Sequence, residues 1–359
     1  MRPLRLSSLA FLLTALVVSA APREFTGEID GALYHIVAPE GDWNGSLWIE
    51  AHGHRSEGSP LDASLSLDRP FNAALLARGW AIATTSYRRN GFIVDDAITD
   101  VLNLRDEAAE KLGPPKVVII EGSSMGGGIA TLIAEALRQE DPVTGVVAVG
   151  AALQVVAPEL TQIKLTHMPR VPIIFLTNQS ELEGPAAYVA GTRGLPGTAA
   201  IQPVLWKVLR DGHVNVNAPE RLAALDAVVA WAATGVSPGD RDDATVNLDA
   251  GPSTAEAAAD GALRATVRDL ARVYGNLYTD LQPADFERRG IARGESFLLT
   301  APAGTFKVRY GTTYSDVPQG EWIAFPTADG TVMIARNRAN AAETAGLATG
   351  DTFTVAKEE

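Results

Sequence analysis

Lys116-Val117-Val118-Ile119-Ile120-Glu121-Gly122-Ser123-Ser124-Met125-Gly126-Gly127-Gly128 is the stretch that decides how this chain is read. Val117 to Ile120 form a short apolar, β-branched run, which suits a strand buried on both faces. Gly122 to Gly126 match the pattern G-x-S-x-G. Ile129, Leu132, Ile133, Ala136 and Leu137 then recur at helical spacing. Strand, sharp turn and helix in that order set a serine at the tip of a strained turn, the context of a nucleophile. Residues two before and two after such a serine must lack a side chain so that neighbouring backbone can pass. Only Ser124 has glycine at both places, whereas Ser123 is flanked at those distances by Glu121 and Met125. In a chain with 33 glycines the pentapeptide alone arises readily by chance, so the flanking strand and helix carry the reading.

Outward from this stretch the pattern alternates between strands and helices. Phe25 to Ala38 alternates and holds Asp30-Gly31, a two-residue hairpin signal. Ser46 to Ala51, Trp80 to Ser86, Gly145 to Leu153, Val171 to Thr177 and Pro203 to Leu209 read as further strands. Ala73 to Arg78, Asp95 to Leu112 and Ala218 to Ala233 read as helices, the second stopped by Gly113-Pro114. Such alternation predicts a mostly parallel sheet with helices on both faces, and catalytic groups gather at the carboxyl ends of its strands. Residues 22–236 are assigned to this unit. Residues 237–253 are rich in turn and charged residues and read as a linker. Residues 254–359 read as a smaller domain in two parts. Alanine-rich Thr254 to Val273 is expected to be helical, and short alternating runs from Gly290 onward are expected to be β-structure.

Composition bounds the function class. The chain has 359 residues, 46% hydrophobic and 20% charged, as in globular proteins with a substantial core. A net charge of −13 argues against nucleic acid and anionic membrane as partners. Residues 1–21 read as an export signal: Arg2 and Arg5 precede an apolar stretch from Leu9 to Val18, with small residues for cleavage after Ala20 or Ala21. No cysteine is present, so there is neither a disulfide nor a lipid attachment site. The expectation is a soluble protein exported to the periplasm or secreted, with no membrane contact once the signal is removed.

A serine hydroxyl needs a base, and the base an orienting carboxylate. Of the five histidines, His213 lies in a loop just after the last strand of the sheet, where this architecture supplies its base. His167 precedes a strand and reads as structural, and His35 reads as surface. The strand Val171 to Thr177 is followed by Glu181 and Glu183. Glu181 is the preferred acid because it stands closer to the strand end, with Glu183 the alternate. The oxyanion requires donors. The amide after the nucleophile, Met125, is one, and His52-Gly53-His54 offers the second, with Gly53 allowing the turn and the amide of His54 the favoured donor. His52 and His54 are also a possible metal half-site, but no second pair of ligands is evident, so neither metal nor cofactor is expected.

On His52-Gly53, Gly122 to Gly126, the acid loop at Glu181 and Gly212-His213, the stretch from Phe25 to Gly235 resembles an α/β-hydrolase. Ser86 to Gly91, Ser-Tyr-Arg-Arg-Asn-Gly, resembles a segment of exported members of that superfamily. The resemblance implies a serine hydrolase, most often a carboxylic esterase acting on a small-molecule ester.

A second set of motifs follows: Tyr274 to Asp280, Thr313 to Val317, Ile334 to Ala342 and Gly346 to Asp351. From Val267 to Val355 the chain resembles the C-terminal β-barrel of S-adenosylmethionine hydroxide adenosyltransferases. The N-terminal domain that carries that family's catalytic aspartate has no counterpart here. The resemblance implies adenine contacts at Asn276 and Arg336. At the methionine end it places Ala271, Ala328 and Asp329 where the family differs. An adenosine-like ligand or a role in packing or homo-oligomerisation is the expectation for this domain. The competing readings of the whole chain are a serine peptidase or amidase, and a binding protein built on a degenerate hydrolase.

Overall fold

A computed structural model of the chain describes residues 21–39, 41, 43–137, 143–153, 165–195, 201–258, 261–271 and 273–358. The export signal expected over 1–21 therefore lies outside the described residues, apart from Ala21. Among the described residues no helix is long and apolar enough to cross a membrane.

The first sheet contains β1 (Arg23–Ile29), β2 (Ala32–Ala38), β3 (Ser46–Ala51), β4 (Ala81–Thr85), β5 (Val117–Ser123), β6 (Gly145–Val149), β7 (Ile173–Asn178) and β8 (Val204–Val208). Its strand order is β1-β2-β4-β3-β5-β6-β7-β8. From β4 to β8 every pairing is parallel, while β1–β2 and β2–β4 are antiparallel. The β1–β2 turn is Asp30-Gly31 with φ of 51° and 89°, both positive as a primed hairpin turn requires.

Helices cover both faces. On one side α2 (Val94–Leu112) and α3 (Met125–Ala136) pack on Leu47, Ile49, Ile120, Val146 and Phe175. On the other, α1 (Pro70–Ala77) and α5 (Ala218–Thr234) pack on Trp48, Ile119, Val147 and Leu176. Neighbouring residues of one strand, such as Ile119 and Ile120, thus belong to opposite cores, which is why these strands read as continuous apolar runs. This is the α/β-hydrolase arrangement, and it sets the carboxyl ends of β3, β5, β7 and β8 along one edge.

One expectation is corrected. The alanine-rich segment is not helical: β9 (Glu256–Ala257) and β10 (Leu263–Leu270) form there. Leu263, Ala265 and Val267 are buried while Arg264 and Arg268 are exposed, a period of two that strand pairing rewards over alanine's helical propensity. The segment read as a linker packs on the first sheet. Arg241 exchanges backbone hydrogen bonds with Leu205 and Lys207 on β8, at 2.9 and 2.8 Å, and its guanidinium lies 3.8 Å from the Trp206 ring centroid. Strand β8 is the edge of its sheet, and this segment supplies partners that its outer edge would otherwise lack.

The second sheet adds β11 (Leu277–Thr279), β12 (Ser296–Ala301), β13 (Gly304–Tyr310), β14 (Trp322–Pro326), β15 (Val332–Arg336) and β16 (Thr352–Lys357). Its order is β11-β15-β14-β13-β12-β16-β10-β9, and pairing of β10 with β11 closes seven of these strands into a barrel. Leu263, Val267, Phe297, Leu299, Val308 and Ile334 fill it.

Candidate active site

Ser124 follows β5 and caps α3 with φ 55° and ψ −119°, a conformation L-residues avoid. A side chain on Gly122 would run into the Gly126 carbonyl, and one on Gly126 into the Ala51 carbonyl. The turn therefore needs glycine at both places, for the close backbone approach expected of it. Ser124 donates its amide to Val149 on the neighbouring strand at 3.0 Å. Glu121, just before the turn, is tied to Arg221 of α5 at 2.9 and 2.5 Å, and burial pushes its carboxyl up against the opposing pull of that guanidinium.

His213 and Glu181 come to the same point from the ends of β8 and β7. His213 Nε2 lies 2.8 Å from Ser124 Oγ, and its Nδ1 lies 2.5 Å from Glu181 Oε2. In the tautomer that satisfies both contacts, Nδ1–H donates to Glu181 and Nε2 accepts from the serine hydroxyl. The second Glu181 oxygen accepts the Val214 amide at 3.1 Å. Glu183 instead begins α4 (Glu183–Arg193) and is exposed, so the structure brings Glu181 to His213 and leaves the alternate acid outside.

Several neighbours of this group escape sequence reading. Val214 has φ 54°, unusual for a β-branched residue, and this turn aims its amide at Glu181. Asn178, fully buried, accepts the Asn215 amide at 2.8 Å and donates to the Arg210 and Asn215 carbonyls. Gly150 has φ 49°, and a side chain there would strike the Glu181 carboxylate. The signals for these residues are weak in sequence: an asparagine at a strand end, and a glycine at the end of the strand before the acid's.

The His52-Gly53-His54 loop runs past the serine, where a Cβ on Gly53 would stand 3.2 Å from Ser124 Cβ. His52 turns inward and stacks on Tyr87 at 3.9 Å between centroids. Its Nδ1 lies 2.6 Å from the Gly53 carbonyl and its Nε2 3.1 Å from that of Ser86. Burial, helped by Arg55, pushes its pKa down to about 3, so the ring is neutral. His54 stacks against Phe92, and burial and then Arg338 lower its pKa. The two histidine rings thus serve separate surroundings. Among the described residues no group of three or more histidine, cysteine, aspartate or glutamate side chains is placed to hold a metal. The Met125 amide, at the start of α3, is among the helix's unpaired donors.

The Ser86 to Gly91 segment is the brace behind this loop. The Tyr87 hydroxyl donates to the His52 carbonyl at 2.9 Å, the Gly91 amide to the Arg55 carbonyl at 2.9 Å, and Asn90 to that of Ser59 at 2.7 Å. Arg88 anchors the brace on buried Asp100 of α2. His35 is largely enclosed, 2.8 Å from Glu24, rather than ordinary surface, and His167 faces the Tyr188 carbonyl as a packing residue. A cavity of about 520 Å³ lined by Thr144, Pro172, Gln202 and Trp231 lies at the opposite, amino end of the strands and presents no titratable group.

Residues 273–354 match the family described as the SAM hydroxide adenosyltransferase C-terminal domain. An uncharacterised conserved protein from Thermotoga maritima aligns at 20% identity with TM-score 0.25, over 26% of this chain and 35% of its own length. Est1E from Butyrivibrio proteoclasticus aligns at 14% identity with TM-score 0.42, over 58% of this chain and 96% of its own. A dienelactone hydrolase from Anabaena variabilis aligns at 20% identity with TM-score 0.38, over 59% and 95%. The chain therefore spans about a third of the first of these proteins and nearly all of the other two. No curated protein matches the sequence.

Proposed function

We propose that this protein is a serine hydrolase, and in particular a carboxylic ester hydrolase working through an acyl-enzyme. The observation that carries the reading is the contact of His213 Nε2 with Ser124 Oγ at 2.8 Å, with Glu181 on the far side of the imidazole. His213 takes the serine proton as Ser124 Oγ attacks the ester carbonyl, and Glu181 stabilises the imidazolium that forms. The oxyanion is met by the Met125 amide and an amide of the Gly53-His54 pair. His213 returns its proton to the departing alcohol, then activates water to release the acid. Export through the basic and apolar segment at the N-terminus is part of the same proposal, and the substrate is then a small ester outside the cytoplasm. The test is labelling by a fluorophosphonate together with hydrolysis of short-chain nitrophenyl esters. Wild type should do both, and Ser124→Ala should do neither while its thermal unfolding stays close to wild type. Labelling that persists in Ser124→Ala would place the nucleophile elsewhere.

A further inference from the structure

Four consecutive carbonyls, His52 to Arg55, run past Ser124, and each faces a polar partner. The His52 carbonyl accepts the Tyr87 hydroxyl at 2.9 Å, and that of Gly53 faces His52 Nδ1 at 2.6 Å. The Arg55 carbonyl accepts the Gly91 amide at 2.9 Å. The His54 carbonyl accepts the Tyr274 hydroxyl at 3.0 Å, from a residue 220 positions away in the barrel. The amides of Gly53, His54 and Arg55, by contrast, donate to no acceptor among the described residues. In a trans peptide the C=O and N–H point in opposite directions, so a donor that fixes the carbonyl also aims the amide. The N-terminal domain fixes three of these peptide units, and the barrel fixes the remaining one.

The barrel also reaches the loop on the other side of Ser124. Asn215, two residues after His213, shares its Nδ2 between the Asp211 carbonyl at 2.9 Å and the barrel's Pro326 carbonyl at 3.1 Å. Asn217 likewise donates to Val246 at 2.7 Å and to Ala328 of the barrel at 3.3 Å. Just before Asn215 lies the strained Val214, whose amide holds Glu181. A residue in that conformation keeps it only where its neighbours over-determine it. The barrel therefore touches both loops that flank Ser124.

We propose that the barrel domain is a working part of the hydrolase site, and that Tyr274 is its positioning residue, holding the peptide unit between His54 and Arg55 and so fixing the loop that offers the oxyanion its amide. This rests on the reading of Ser124 as nucleophile. Tyr274 is not a catalytic residue: it acts through the loop. Its hydroxyl is protonated at neutral pH and so donates to the His54 carbonyl.

The experiment compares wild type, Tyr274→Phe and Asp269→Asn in the full chain. Asp269 lies 3.8 Å from Arg69 across the same domain boundary, with both side chains half exposed, so its loss tests docking without touching either loop. Tyr274→Phe should lower kcat for a nitrophenyl ester and the rate of fluorophosphonate labelling about tenfold, the effect of one hydrogen bond. KM and the thermal midpoint should not change, and Asp269→Asn should match wild type in all four. Turnover in Tyr274→Phe within twofold of wild type would overturn the proposal while leaving the hydrolase reading intact. Equal losses in both variants, or a midpoint lowered by several degrees in Tyr274→Phe, would assign the effect to domain docking and overturn it too. Absence of labelling in wild type would overturn the hydrolase reading itself, and this proposal with it.

Discussion

The two sheets use their sequence motifs in opposite ways. In the first, residues 89 and 32 positions apart converge on one point, the imidazole of His213, at the open edge of the sheet. In the barrel, the two residues to which the resemblance assigns adenine contacts turn to the domain's own framework. Asn276 donates to the Tyr314 hydroxyl at 2.9 Å, and Arg336 to the Gly320 carbonyl and the Thr344 hydroxyl at 2.9 and 2.7 Å. Backbone strain follows the same division. Tyr87, Ser124 and Val214, all non-glycine residues with positive φ, surround the first site, whereas Arg338 is the barrel's one such residue among those described. On the proposed reading, three strained residues, unpaired amides and a base between two partners gather where chemistry needs preorganisation. Side chains that bond their own strands and turns hold a shape.

The largest effect that can break this comparison is loss of the base. His213→Ala should lower kcat/KM for ester substrates roughly 10⁴-fold or more, because the serine hydroxyl loses its proton acceptor. A loss below tenfold would mean that the convergence at His213 is structural, as in the barrel. Next in size, Glu181→Gln should lower turnover about 10³-fold, since an amide cannot stabilise the imidazolium and can favour the wrong tautomer. Glu183→Gln should stay within twofold of wild type, its side chain being exposed at the start of α4. Comparable losses in the two variants would remove the distinction on which the acid assignment rests.

Much of the first sheet was legible because its signals are local. Two glycines at fixed distances from Ser124, an apolar strand before it and an apolar stripe after it define the turn without any distant contact. His213 and Glu181 were legible from their places after strands, since topology alone delivers strand ends to one edge. The supporting residues were not, because their partners are far away in sequence. Asn178 meets Asn215, Tyr87 meets His52, and Tyr274 meets His54 across distances no periodicity records. Thr254 to Val273 misled for a different reason. Its alanines favour a helix locally, while the alternation that makes β10 is confined to Leu263 to Arg268 and gains its energy from pairing with β11 and β16. The segment 237–253 carries no apolar period, and it is attached to β8 by backbone bonds and by side chains of Asp240, Arg241 and Thr245 whose partners are far away in sequence.

A moderate effect separates the two regions by pH. His52 is buried and neutral, its pKa held at about 3 against an ordinary 6.5. Between those values the unfolded chain takes up a proton at this histidine that the native protein refuses, so native stability falls as pH drops through that window. From pH 7 to pH 5 wild type should lose roughly 2 kcal/mol more unfolding free energy than His52→Gln, measured by urea denaturation at the two pH values. The same slope in both proteins would mean that His52 titrates normally and that the loop beside Ser124 is open to water.

The smallest expected effect is on the barrel's response to S-adenosylmethionine. The resemblance places Ala328 and Asp329 near the methionine carboxylate of such a ligand, and in this chain that turn faces the hydrolase sheet instead. The Ala328 carbonyl accepts Asn217 Nδ2 at 3.3 Å, and Gly330 packs against Leu248 and Ala250 of the connecting segment. Asp329 lies among Arg210, Arg69 and Glu220, where burial first, and Glu220 with it, raise its pKa against the two arginines. An aspartate offers a carboxylate no ion pair, and its own charge at that turn repels a second one. A ligand at 100 times its Kd adds about 2.7 kcal/mol to the stability of the state that binds it, a rise of several degrees in Tm. Millimolar S-adenosylmethionine should therefore leave the thermal midpoint of the full chain unchanged, and no adenosine should form on prolonged incubation. A clear rise in Tm, or release of adenosine, would show that the barrel keeps a ligand site of its own beside the surface it gives to the hydrolase.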